Sequence, residues 1–431
     1  MRTSTALVVA SVVLASHPAH AQFNSGSTGA HGALNPSAHL TLTLPASGVF
    51  NFTTVNIPGG VILRFTRNAT NTPVTILAQG DVIIAGTMDV SGSAGGAGSL
   101  TGTLLGPNGG AGGPGGFDGG TGANGVISTT GGAGLGPGGG SGGANSGSSG
   151  GGGGHVAVGG SSSGAGAVTA AGGGAYGTAG LLPISGGSGG GGGGAAFGAT
   201  GFGGGGGGGA LLIASSTTIT LSGTIRARGG NGATGPNPSA GFGGSGSGGA
   251  VRLVANTVGG NGTIDVNGGD RIGGFFGGSG GFFFNGAGSA GRLRLESFTN
   301  TAVLNFVAVP PTTISSSLPN PAVLANAPTL RISSIAGVAT PGVAQGSFVT
   351  PDITLPAGTT NPVPVTITAA NIPVGTVVTL TVQGFVGTVS SVTATLGGTA
   401  ASSSATASLT IPTNEPSVVS ASATFTLLVD H

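Results

Sequence analysis

"GGSGGGGGGAAFGATGFGGGGGGG" runs from Gly186 to Gly209 and contains almost nothing that can pack, ionise or react. Whether it is a loose tether or an ordered element decides the fold. Its second half begins a segment that recurs. "GFGGGGGGGALLIAS" (201–215), "GFGGSGSGGAVRLVA" (241–255) and "GFFFNGAGSAGRLRL" (281–295) start 40 residues apart. Aligned this way, Phe202, Phe242 and Phe282 share one column, Ala210, Ala250 and Ala290 a second, and Ile213, Leu253 and Leu293 a third. A tether has no reason to keep register. A stacked element has every reason, because equivalent residues of successive repeats must meet.

A second element follows the first two copies. "ITLSGTIRARGG" (219–230) matches "VGGNGTIDVNGG" (258–269), and "VIIAGTMDVSGS" (82–93) is an earlier copy. Their Gly-Thr dipeptides stand at 223, 262 and 86, so one turn is a residue shorter than the 40-residue period. Each unit therefore reads as strand, turn, strand and a glycine-rich arm of about twenty residues. Two short strands per repeat predict a parallel β-helix or β-solenoid with coils about 4.8 Å apart. Ordering glycine costs on the order of 1–2 kcal/mol per residue. Backbone hydrogen bonds between close, extended arms, as in polyglycine II, must offset that. For 92–200, where the 40-residue register is lost, a disordered Gly/Ser tether is the stronger alternative.

Composition narrows the chemistry. Of 431 residues, 99 are Gly, 4% are charged and none is Cys. All ten basic residues are Arg. This excludes disulfides, thiol nucleophiles, cysteine zinc sites, the P-loop lysine and Schiff-base lysines. A net charge of +1 leaves no basic patch for nucleic acid. Arg2, the apolar run "ALVVASVVLA" (6–15) and Ala19-His20-Ala21 make a three-part secretory leader ending at residue 21. No later apolar run is long enough to span a bilayer. The expected location is secreted, extracellular or at the cell surface.

The remaining segments divide as follows. Residues 22–47 form an N-terminal segment containing one strand-like run, "HLTLTLP", and 48–91 form the first solenoid coils and cap. Residues 92–209 are a glycine-rich insertion, 210–309 carry the clear repeats, and 310–328 read as a Pro/Ser-rich linker. Residues 329–431 show seven strand-like runs, beginning near Leu330, Val349, Val363, Val377, Val389, Ala405 and Ser420. Their spacing predicts an immunoglobulin-like β-sandwich without the Cys and Trp landmarks. The chain as a whole is expected to be all-β.

The series "GTIRARGGNG…GGSGSGGAVRLVA…GTIDVNGG…GRLRLES" resembles uncharacterised bacterial secreted glycine-rich β-solenoid proteins, some with Ig-like modules. The likeness covers roughly residues 40–300. "GGAGGPGG" (109–116) is also similar to mycobacterial surface proteins with Gly-Gly-Ala repeats. Neither resemblance implies a reaction.

Candidate chemistry is sparse. The acids are Asp81, Asp89, Asp118, Asp265, Asp270, Glu296, Asp352, Glu415 and Asp430. Aligned on Gly-Thr, Asp89, Arg226 and Asp265 form a column, with Arg226 and Asp265 expected to pair as a structural ladder. Arg252 and Arg292 share a column on the 40-residue alignment and need a partner: Glu296, glycine carbonyls or a bound anion. "GGTGANGVI" (119–127) fits a calcium nonapeptide once, with Asn124 at the acid position, where repeated copies are required. His31, His39, His155 and His431 show no metal-ligand spacing. Phe275, Phe276, Phe282, Phe283 and Phe284 crowd one arm, either plugging the gaps between arms or forming an adhesive patch. An ice-binding reading needs Thr columns, and at constant spacing Thr218 faces Val258 and Thr220 faces Gly260.

These features predict a non-enzymatic structural or cell-surface protein with no assigned catalytic, cofactor-binding or metal residues. The alternatives are an adhesin for glycans or another cell surface, and a polysaccharide lyase or hydrolase on a β-helix. The expected partners are an extracellular or cell-surface polysaccharide or another surface protein. No nucleic acid and no cofactor is expected.

Overall fold

The computed structural model describes residues 23–98, 106–126, 129–145, 147–164, 169–196, 198–235, 239–276, 281–308, 314–320, 328–341, 351–384, 389–413 and 415–425. The leader, the strand expected near Val349, Asp430 and His431 lie outside these residues. The described chain is all-β, without a helix.

The strands, in chain order, begin with β1 (Leu40–Thr43), β2 (Val49–Phe52), β3 (Val55–Ile57), β4 (Ile62–Thr66), β5 (Val74–Ala78), β6 (Val82–Ile84) and β7 (Thr87–Asp89). After β8 (Ser163–Gly164) come β9 (Ala210–Leu221), β10 (Thr224–Arg226), β11 (Ala250–Gly259) and β12 (Thr263–Asp265). A hairpin of β13 (Gly273–Phe276) and β14 (Gly281–Phe284) precedes β15 (Arg292–Asn300), β16 (Asn305–Val307) and β17 (Ser315–Ser317).

Two parallel sheets are built from these. One runs β1-β4-β7-β10-β12-β16; the other runs β2-β5-β9-β11-β15-β17, with β3 and β6 joining beside β9. The chain alternates between the sheets, laying each new strand beside its predecessor. Leu40, Leu63, Met88, Ile225, Ile264 and Phe306 form one inward column. Phe50, Ile76, Ile213, Leu253 and Leu295 form the facing one. Both belong to one continuous core. The run of more than a hundred residues between β7 and β9 leaves the ladder intact, since Thr87 still pairs with Thr224 and Val74 with Leu211. Ser315–Ser317, inside the segment read as a linker, adds to the edge of the second sheet through β15.

The described residues of the quoted glycine stretch are bonded into the fold. From Gly203 to Gly208, every N–H and every carbonyl has a backbone partner, and the donors rotate with a period of three. Gly203 and Gly206 donate to Gly96 and Ser93. Gly204 and Gly207 donate to Gly120 and Phe117, and Gly205 and Gly208 to Gly244 and Ser247. The carbonyls accept on three further sides. Ala233 and Gly230 donate to Gly203 and Gly206, Gly110 and Gly113 to Gly204 and Gly207, and Gly190 and Gly187 to Gly205 and Gly208. One arm thus bonds six neighbouring segments. Only an extended chain with three residues per turn aims its backbone groups in three directions. The spacing leaves no room for side chains: a Cβ on Gly205 would lie 2.0 Å from Gly230 O. The same bonding reaches into 92–200, where Gly120, Gly132, Gly140, Gly150 and Gly190 all donate to other arms. The tether alternative for those arms is therefore corrected. Register was lost in that region because arms of differing length join one bundle, whose bonds need only the three-residue period.

The 40-residue alignment also needs correcting. β9 and β11 pair with Ala210 beside Ala250, as aligned, but β11 and β15 pair with Ala250 beside Arg292 and Leu253 beside Leu295. The last repeat is two residues longer because the hairpin is inserted in its arm. A shift of two keeps inward residues inward, so the apolar pattern looked unbroken. The one-residue difference between the first two repeats is absorbed within the strand, at a register shift between Ala255 and Thr257, and not in the turn.

Past residue 328 lie β18 (Thr329–Ile335), β19 (Val338–Ala339), β20 (Val363–Ala370), β21 (Val377–Gly384), β22 (Val389–Thr395), β23 (Gly397–Thr399), β24 (Ser402–Leu409) and β25 (Ser417–Ala423). They form two antiparallel sheets, β19-β18-β20-β24-β23 and β22-β21-β25. Both contribute to a second core that includes Val365, Ile367, Val378, Leu380 and Val382. Alternation in β20, whose residues are buried at every second position, is that of a strand with one face inward.

Candidate functional site

The acids are dispersed, and each of those on the parallel sheets and arms is engaged. Arg64, Asp89, Arg226 and Asp265 stack in one outward column of β4, β7, β10 and β12. The ladder therefore exists, but its ion pairs differ from the expected one. Asp89 meets Arg64 at 3.8 Å, and Asp265 meets Arg228, not Arg226, at 3.6 Å. Arg228 lies two residues along the same outward side and reaches across diagonally. With the arginine half exposed in each, these pairs contribute little. Asp118 binds Arg67 and the Gly112 N–H, Asp81 accepts from Thr217, and Asp270 accepts from Asn231. Asp89 and Asp265 are two strands apart, about 10 Å, with Arg226 between them.

Glu296 is different. It is fully buried, accepts two bonds from Arg252 (2.8 and 3.0 Å), one from Arg294 (2.5 Å) and one from the Asn320 N–H (2.7 Å). Burial pushes its pKa up, but the Arg252 hydrogen bonds and charge, with Arg294 and Asn320, outweigh this and hold the carboxyl below its usual range. Because of the two-residue shift, Arg252 stacks on Arg294, not on Arg292. Glu296 is what makes that like-charge neighbourhood tolerable. Arg292 instead donates to the carbonyls of Tyr176 and Gly177.

Among the described residues no group of three His, Asp or Glu could hold a metal ion. Asn124 is buried, and its Oδ1 accepts from the Val126 N–H. Gly119 to Ala123 around it bond to other arms. His31 and His39 use Nδ1 to accept backbone N–H groups of Asn51 and Ile62. No described helix is long and apolar enough to cross a membrane.

The aromatics divide between two roles. Phe202 and Phe242 are buried with ring centroids 6.1 Å apart, and Phe283, not Phe282, completes their cluster. Phe282 is 60% exposed and stacks on Phe284 at 6.2 Å, while Arg271 lies 4.7 Å over the Phe284 ring. Strand alternation in β14 separates 283 from its neighbours. For Phe275 and Phe276 the structure gives only their pairing, opposite Phe282 and Gly281.

The register shift within β9 and β11 also corrects the Thr alignment. Thr218, Thr257 and Thr299 stack in one column, while Thr220 faces Gly259. The column is three residues long and its companion fails.

A buried polar cluster escaped the sequence reading. His155 stacks on Tyr176 at 4.9 Å, its Nδ1 is 2.8 Å from Gly248 O, and Ser188 Oγ donates to the Tyr176 hydroxyl. Burial, aided by the Arg292 charge and opposed by the Gly248 bond, lowers the His155 pKa to about 4. Burial likewise pushes the Tyr176 hydroxyl up. Both are neutral at pH 7. No sequence signal marked them, because they come from loops that only the glycine bundle brings together.

Compared with protein-family models, curated proteins and solved structures, the chain matches none.

Proposed function

We propose that this chain is a secreted, non-enzymatic structural protein of the cell surface or extracellular matrix. In this reading it is a β-solenoid whose coils carry a polyglycine-II-like bundle, followed by an Ig-like β-sandwich. The observation that carries it is the complete internal pairing of Gly203–Gly208. A bundle whose backbone groups are spent on neighbouring arms supplies rigidity and shape, and it offers no general acid or base. The acids support the same reading, since those of the parallel sheets and arms are held by arginines, amides or hydroxyls. Purified mature protein should give no turnover on acidic or neutral polysaccharides, with or without calcium. Cleavage abolished by Asp89→Asn, Asp265→Asn or Asp270→Asn would overturn the proposal in favour of a lyase or hydrolase.

A second reading, an adhesin for extracellular polysaccharide or another surface protein, is favoured by the exposed Phe282 beside Phe284 and Arg271. It requires glycan-array binding that Phe282→Ala removes while the fold is unchanged.

A further inference from the structure

The parallel sheet that begins at β1 and ends at β16 is open at both edges. Among the described residues β1 pairs only with β4, and β16 only with β12. Edge strands are commonly blunted with charges, prolines or bulges. Leu40–Thr43 and Asn305–Val307 carry neither a charged residue nor a proline. The last coil also lacks the polar outer face of a capping repeat. Val303, just before β16, is 80% exposed, and Leu318, just after β17, is 66% exposed.

The open backbone groups at one edge complement those at the other. Successive residues of a strand aim their N–H and C=O groups to opposite sides. At β16 the Asn305 N–H donates to Gly262 O, and Val307 O accepts from the Val266 N–H, so both residues face β12. Phe306, between them, aims its N–H and carbonyl at the open side. At the other end the Leu44 N–H donates to Thr66 O of β4. Leu42 and Leu40 therefore also face β4, and Thr41 and Thr43 aim their backbone groups at the open side.

Side chains fix the register. Phe306 stands beside Ile264 and Leu42 beside Phe65, and both pack against the core. Inward residues must meet inward residues. Only one alignment sets all three residues of β16 against β1 with Phe306 inward: Asn305 beside Thr41, Phe306 beside Leu42 and Val307 beside Thr43. In it the Phe306 N–H donates to Thr41 O, and the Thr43 N–H donates to Phe306 O. Hydrogen-bond direction and burial thus select the same register, and no like charges meet at the seam.

We propose that a second copy of this chain docks its β1 on β16, so that the parallel sheet runs on from copy to copy. The inference rests on the structural reading above and adds how copies join. A head-to-tail contact that advances along the sheet does not close on itself and builds a filament. With six strands per copy in this sheet, the repeat is about 29 Å.

Electron microscopy and light scattering of the purified mature chain test this. Wild type should form filaments with that repeat, and its mean mass should rise several-fold with concentration. Thr41 and Asn305 are both exposed and would sit side by side across the seam. Thr41→Glu with Asn305→Glu should return the mass of a single chain with melting unchanged, and Thr41→Glu with Asn305→Lys should restore assembly. A wild type that stays monomeric or stops at a closed dimer, a two-glutamate variant that assembles like wild type, or no rescue by the glutamate–lysine pair would each overturn the stacking. A chain that neither assembles nor cleaves polysaccharide overturns the stacking alone, whereas cleavage overturns the structural reading whatever the state of assembly.

Discussion

Gly205→Ala adds one methyl at the centre of the bundle. The new Cβ would lie 2.0 Å from Gly230 O and 2.6 Å from Gly230 C, both backbone atoms of a neighbouring arm. Neither can rotate away, so the arms must part. Parting strains the two bonds that join these arms, from the Gly230 N–H to Gly206 O and from the Ala233 N–H to Gly203 O. Overpacking costs typically 1–3 kcal/mol, occasionally more, and each bond lost adds about 1 kcal/mol. The expected loss is therefore about 3–5 kcal/mol. Gly174→Ala is the matched control. Its Cβ would meet nothing within 4 Å, and restricting the unfolded chain contributes at most about 1 kcal/mol of stabilisation at either site. The two largest cores among the described residues are separate, so one unfolding midpoint is a poor measure. Hydrogen exchange resolved to the 201–250 segment is the better assay. Wild type and Gly174→Ala should protect its glycine amides, and Gly205→Ala should release them. Equal protection in all three proteins, or full exchange in wild type within the dead time, would refute the packed-arm account.

Phe242→Ala should cost about 3–5 kcal/mol, whereas Phe282→Ala should leave melting almost unmoved; a reversed order by denaturation would place the wrong ring inside. Glu296→Gln leaves the buried Arg252 without its carboxylate and should cost about 3–5 kcal/mol, while Arg252→Met with Glu296→Leu should cost much less by the same measurement. Because the folded His155 prefers its neutral form and the unfolded one binds a proton below about pH 6.5, its stabilising contribution is complete above pH 6.5. It is lost as pH falls toward 4, by about 3 kcal/mol in all. Tyr176 stays neutral across that window and Arg292 opposes the proton, so His155→Gln should flatten the stability profile between pH 4 and 6.5; an unchanged profile would mean His155 is not the group responsible.

The sequence by itself determined what depends on local pattern. Strand-like runs were read as beginning near Val363, Val377 and Val389, and a strand begins at each. The Gly-Thr dipeptides put Thr87, Thr224 and Thr263 in one column, and the structure keeps them there. Register kept through the glycine arm, in the Phe202–Phe242 and Ala210–Ala250 columns, indicated order between Gly201 and Ala250. Tertiary structure decided where two solutions looked identical from the chain. Leu293 and Leu295 both face inward, so a slip of two residues is invisible to hydrophobic pattern, and the inserted hairpin selected Leu295 as the neighbour of Leu253. That slip set Arg252 beside Arg294 and freed Arg292 to reach Tyr176 and Gly177. Which arms meet was likewise beyond reading, since glycine carries no side chain to specify a partner. The six neighbours of Gly203–Gly208 follow from where the two parallel sheets launch and receive each arm. The His155 cluster exists only because that bundle closes around it.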